Sequence, residues 1–111
     1  MEQKVCLDTD VSIAILKNDE VAGVVLKKIE NMNVHITTIT LFELLLRKTN
    51  LEAIETFRQK VDMIEFDEEA ARKASAIYKE LQQKGRIIDY RDIFIAAACM
   101  TAGCSLITLN T

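Results

Sequence analysis

Val5-Cys6-Leu7-Asp8-Thr9-Asp10-Val11-Ser12-Ile13 is the stretch on which the fold turns. A short apolar run, Val5-Cys6-Leu7, stops abruptly at Asp8 and reads as a buried strand, and Asp10 then opens a helical stretch through Lys17. The same alternation recurs down the chain. Asn18-Asp19-Glu20 supplies a cap and an acidic first turn for a helix to about Asn31, with Val21, Val24, Val25 and Ile29 on one face. Val34-His35-Ile36-Thr37 is β-branched and short, so a second strand. Leu41 to Lys48 is helical, and Thr49-Asn50-Leu51-Glu52 has the form of a capping box that starts another helix. Met63-Ile64-Glu65-Phe66 is a third strand. Asp67-Glu68-Glu69 caps a long amphipathic helix whose face is Ala70, Ala74, Ile77, Tyr78 and Leu81, stopped by Gly85. Asp89 to Gly103 is helical, apolar on every side from Ile93 onward and hence buried, and Ser105-Leu106-Ile107-Thr108 is a fourth strand. Strands that alternate with helices predict βαβ units and an α/β fold with a parallel sheet.

The 111 residues match one domain, 1–111, and half of them are apolar, enough for a core without disulfides or a structural metal. The formal net charge of −3 argues against binding nucleic acid by a basic surface, unless metal ions reverse the local sign. The three cysteines, Cys6, Cys99 and Cys104, form no even framework, which fits a reducing, cytoplasmic compartment; with no second pair and no nearby histidine, zinc has no support. Met1 to Lys4 fits no signal peptide, and the longest apolar run, Ile93 to Met100, is far too short to cross a membrane.

In an open α/β sheet, ligands bind beyond the carboxyl ends of the strands, where strand order reverses. Asp8-Thr9-Asp10 follows the first strand, Glu43 comes soon after the second, Asp89 and Asp92 precede the helix that feeds the fourth, and Asn110 follows it. Carboxylates converging from distant segments repel one another unless a cation neutralises them, and oxygen ligands suit magnesium or manganese. Such ions assist in-line displacement at phosphate by activating water and stabilising the leaving oxygen. Each acid also has a plainer role. Asp10 would cap the first helix, Thr40-x-x-Glu43 has a capping-box spacing with Glu43 and Arg47 at i,i+4, and Asp89-x-x-Asp92 resembles a cap with an acidic third position. His35, the single histidine, lies in a predicted strand and reads as a packing residue. No Gly-rich phosphate loop and no Gly-x-Ser-x-Gly elbow is present.

The opening segment resembles the first strand and turn of PIN domains. Ile39-Thr40-Leu41-Phe42-Glu43-Leu44-Leu45 is similar to their second acidic segment. Gly85-Arg86-Ile87-Ile88, with Asp92-Ile93-Phe94-Ile95-Ala96-Ala97-Ala98, resembles the third, and Ser105 to Asn110 the fourth. The resemblance covers essentially the whole chain in order, and its size is most like VapC-type toxins of toxin–antitoxin pairs. It implies a three-layer α/β/α fold and a magnesium- or manganese-dependent ribonuclease acting on RNA. Such proteins are commonly dimeric and held inactive by an antitoxin whose peptide fills the groove. Asp8, Glu43 and Asp92 match the family's core acids and would hold the metal. Thr9 and Thr40 match supporting hydroxyls, Asp10 a polar position, and Asp89 is a possible helper.

The sequence departs from that family at its end. Asn110 stands where a fourth acid usually lies, and the family's further acid and final edge strand have no counterpart before Thr111. Asn110 would offer an amide oxygen without charge. That departure leaves a second reading, a non-catalytic PIN-like binding scaffold. A third is a haloacid-dehalogenase-like phosphatase with Asp8 as nucleophile, but Val11-Ser12 follows where Gly-Thr is expected.

Overall fold

The computed structural model describes residues 3–109. Its elements, in order, are β1 (Lys4–Leu7), α1 (Thr9–Lys17), α2 (Glu20–Ile29), β2 (Asn33–Thr37), α3 (Thr38–Leu45), α4 (Leu51–Gln59), β3 (Asp62–Ile64), α5 (Glu68–Gln83), α6 (Tyr90–Ala102) and β4 (Ser105–Ile107). The four strands pair in parallel in the order β3-β2-β1-β4. Val5 lies opposite Val34 and Ser105, and Ile36 opposite Met63.

Side chains alternate across a strand, so each strand serves two faces. Val5, Leu7, Val34, Ile36, Met63 and Ile107 point to one side, where they pack on Val11, Val25, Ile29, Leu44, Ile54 and Phe57 from α1 to α4. Cys6 and Ile64 point to the other, against Ala70 of α5 and Ile95, Ala98 and Cys99 of α6. The result is three layers, with α5 and α6 brought close by their alanines. Ala70, Ala74, Ala97 and Ala98 are all buried. Cys6 and Cys99 pack as free thiols in this core, and the neighbouring Cys99 thiol together with burial pushes the Cys6 thiol far up.

Four local readings need correction. Asp8, not Asp10, caps α1. The Val11 N–H donates to Asp8 Oδ1 at 3.0 Å, because strand and helix are separated by that single residue. α3 begins at Thr38, capped by Thr37, so Thr40 lies inside the first turn and Thr40-x-x-Glu43 is no capping box. Asn50 stands at the N-cap of α4 in the left-handed region, φ 61°, and makes no side-chain cap. On α2 the inward residues are Ala22, Val25 and Ile29, while Val21 and Val24 face outward. The helix buries a stripe of i, i+3, i+7 spacing, and those two valines sit beside it.

Two smaller differences concern α5 and α6. Tyr78 rides the exposed edge of α5 rather than its buried face, and Met100 reaches solvent from the stretch of α6 after Asp92 that the sequence marks as buried. Asp67 and Asp89 cap their helices as the sequence suggests, accepting from the N–H groups of Ala70 and Arg91. Gly85 has φ +71°, a left-handed turn that lets the Arg86 N–H return to the Leu81 carbonyl and ends α5. No helix among the described residues is long and apolar enough to cross a membrane.

Candidate active site

The strand order places the reversal between β1 and β4. The chain moves from β1 to β2 and β3 on one side, then returns to lay β4 on the other. Asp8 follows β1 directly, and its N–H donates to the Ile107 carbonyl at 3.1 Å, tying the ends of β1 and β4 together. Ser12 Oγ donates back to the Asp8 carbonyl at 2.9 Å. Helix α6 feeds β4 and so presents its N-terminal turn, with Asp89 and Asp92, to the same end of the sheet. Asp8, Asp89 and Asp92 line one open cleft of about 460 Å³, with Ile87, Ile88, Ile95, Leu106 and Thr108.

Glu43 is not part of that lining and is held by neighbours. Thr9 Oγ1 donates to Glu43 Oε1 at 2.7 Å, and an Arg91 guanidinium nitrogen lies 3.4 Å from Glu43 Oε2. Behind Thr9 stand two buried threonines. Thr37 Oγ1 donates to Thr40 Oγ1 at 3.4 Å, and the Thr40 and Thr9 hydroxyls are 3.2 Å apart. Since Thr9 gives its proton to Glu43, Thr40 is the donor to Thr9, and a relay Thr37–Thr40–Thr9–Glu43 orients the carboxylate. Arg91 is the residue the sequence did not single out. It pairs with Asp89 as well as Glu43, at 3.1 Å, while Arg47, the i,i+4 candidate, does not hold Glu43. Asp10 is exposed beside the cleft, Asn110 lies outside the described residues, and His35 packs in β2, donating from Nδ1 to the Asn33 carbonyl at 3.0 Å.

The charge of the cleft is only partly compensated. Partial burial, then the charges of Asp89, Asp8 and Asp10, push the Asp92 carboxyl above its usual range. Asp89 goes the other way, because hydrogen bonds from the Arg91 side chain and backbone hold it down. The two have opposite pH signatures. Asp92 binds its proton more tightly when folded, so its contribution to stability falls as pH rises through the carboxylate range and stays low above the folded value. Asp89 contributes at neutral pH, and that is lost as pH falls through its folded value. Asp92→Asn is therefore expected to melt higher than the parent near pH ~7, with the difference vanishing near pH ~3, where both side chains are neutral. Thermal melts at the two pH values check this; a variant that melts lower at neutral pH would mean that the helix dipole outweighs the repulsion.

An all-oxygen donor set with surplus negative charge fits a hard divalent cation in its chemistry. Its arrangement is less complete. Among the described residues, no group of three or more His, Cys, Asp or Glu side chains is placed to hold a metal ion. Asp8 and Asp92 share the cleft, but Glu43 is turned to Thr9 and Arg91 and would have to release Arg91 to join them.

A PIN-domain family model matches residues 5–111. The chain belongs to the PIN-domain family. This PIN domain is 29% identical over 115 residues to the tRNA(fMet)-specific endonuclease VapC of Shigella flexneri, covering 97% of the chain and 87% of that protein. Its fold matches DNA-bound VapBC from Salmonella typhimurium with a TM-score of 0.86 at 28% identity, over 97% of this chain and 87% of that one. It also matches VapBC2 from Rickettsia felis, bound to a promoter DNA fragment, with a TM-score of 0.82 at 22% identity over 96% and 86% of the two chains. Family membership sets aside the dehalogenase-like alternative, and the four-stranded parallel sheet between helical layers is the PIN-domain fold the sequence resembles.

Proposed function

We propose that this PIN domain is a VapC-type toxin, an endoribonuclease that hydrolyses RNA phosphodiester bonds with magnesium or manganese and is restrained by an antitoxin. The observation that carries the proposal is the meeting of Asp8 and Asp92 in one cleft at the reversal of strand order, the place where an open α/β sheet takes its ligand. The relatives support it: one is named a tRNA(fMet)-specific endonuclease, and a solved structure of DNA-bound VapBC is 28% identical. In this reading Asp8, Glu43 and Asp92 hold the cation, which supplies Lewis-acid stabilisation of the phosphoryl oxygens. Thr9 and Thr40 orient Glu43, and Arg91 offsets part of the charge of Glu43 and Asp89 while no cation is bound. Asp10 and Asp89 add to the negative field of the cleft. The protein acts in the cytoplasm as a homodimer.

A non-catalytic PIN-like scaffold is the second reading, and the engagement of Glu43 by Arg91 favours it. Incubation of the protein with structured RNA, with magnesium or manganese and then with excess chelator, separates the two. Cleavage that needs the metal supports the ribonuclease; intact RNA under every condition leaves the scaffold. The Thr9 relay has its own test. Thr9→Val removes the hydroxyl that donates to Glu43, at nearly constant volume. Loss of such an orienting partner is expected to lower cleavage roughly tenfold, with Thr9→Ser restoring it.

A further inference from the structure

A second cleft of about 530 Å³ adjoins the acidic one, and the two share Ile87, Ile88 and Asp89. Tyr78 and Tyr90 in its wall are the outer members of an aromatic series. Phe66 and Phe94 lie with ring centroids 4.8 Å apart, Phe94 and Tyr90 stack at 6.2 Å and 14°, and Tyr90 and Tyr78 meet at 5.6 Å. Phe94 is half-buried and backs the Tyr90 ring, which is 60% exposed. Ile87, wholly exposed, is part of the lining, and Arg86 and Gln82 add polar groups to it. The chain has no tryptophan and two tyrosines, and both tyrosines stand here.

We propose that Tyr90, flanked by Tyr78 and Arg86, is a stacking site for an unpaired nucleobase of the RNA substrate next to the cleavage position. This rests on the ribonuclease reading above. A supported aromatic face beside a cation suits a nucleotide. The base stacks on the ring, the Arg86 guanidinium meets a phosphate, and the Gln82 amide offers both a donor and an acceptor to the base edge. Stacking of this kind tolerates any base, because every base has a π-face. It excludes a duplex, whose bases are already stacked on one another. The continuity of the two clefts places the stacked base and the adjoining phosphate on one path, so a single-stranded segment that anchors at Tyr90 lays its backbone toward Asp8 and Asp92.

The absence of tryptophan makes the test direct, since the intrinsic fluorescence of the chain comes from Tyr78 and Tyr90 alone. The full chain carrying Asp8→Asn, with manganese present, is titrated with a single-stranded oligoribonucleotide and with the same oligomer annealed to its complement. The single strand should quench the tyrosine signal and the duplex should not. Adding Tyr90→Leu, an exposed change that keeps apolar bulk, should weaken binding by on the order of tenfold or more, and Tyr90→Phe should keep it. In the otherwise unchanged chain, Tyr90→Leu should raise KM for RNA and leave kcat nearly as it was. A parent that cleaves RNA while Tyr90→Leu matches it in KM and affinity overturns the stacking site and leaves the ribonuclease intact. A parent that neither binds nor cleaves RNA overturns both. If sedimentation shows that Tyr90→Leu splits a dimer without changing RNA affinity, the surface is a contact between copies and the stacking site is again overturned.

Discussion

Asp8→Asn is expected to reduce RNA cleavage by roughly a hundredfold or more, the scale on which removing one charged group at a reacting centre acts. The substitution is clean because Asp8 does two separable things. Its Oδ1 accepts the Val11 N–H and caps α1, and its backbone N–H and carbonyl fasten β1 to Ile107 and Ser12. An asparagine amide oxygen accepts the same cap bond, so the fold should be kept while the negative charge is lost. Asp8→Ala removes both and should cost an additional ~1 kcal/mol of stability. Cleavage rates with manganese, read beside thermal melts of the three proteins, separate charge from cap. Equal cleavage by the parent and Asp8→Asn, both folded, would remove Asp8 from the site.

The largest loss of stability is expected one residue earlier. Leu7 is fully buried in β1, a strand with neighbours on both sides, and its side chain packs into the layer formed with α1 to α4. Leu7→Ala takes away buried methyl groups and leaves a cavity that a central strand cannot collapse around, at a cost of about 2–5 kcal/mol. Against a total of about 5–15 kcal/mol this is a large fraction, and it corresponds to a fall of on the order of 10 °C in Tm. Leu7→Met, which conserves volume, should lose under ~1.5 kcal/mol. Denaturant titration of both variants measures the difference. Similar midpoints for the two would mean that the layer between sheet and α1 relaxes freely around this position.

The fold was legible because the chain punctuates itself with acids. Asp67 and Asp89 stand ahead of amphipathic or apolar helices and cap them, and short runs such as Val5-Cys6-Leu7 can be little but buried strands. The start of α3 was not legible. Thr37-Thr38-Ile39-Thr40 is β-branched and looks like a continuing strand, yet burial of Thr37 and Thr40 and their hydroxyl bonds draw it into a helical turn. For the candidate site, strand ends in sequence order were enough to bring Asp8, Asp89 and Asp92 to one cleft. The hold of Arg91 on Glu43 was invisible, because it joins residues far apart in the chain and has no periodicity to betray it. The aromatic series was hidden for a related reason. Tyr78 fits the inward stripe of α5 by spacing, and only its position against Tyr90 of α6 shows that it serves the surface.

β4 docks against β1, the strand farthest from it in sequence, and the cleft takes Leu106 and Thr108 from its neighbourhood. A nascent chain still lacking those residues has Asp8 but no crevice around it. Docking also waits for a long-range closure that is intrinsically slow to form. The cleft is therefore absent from any nascent form that stops short of Thr108, and its acids are enclosed together only once β4 has docked.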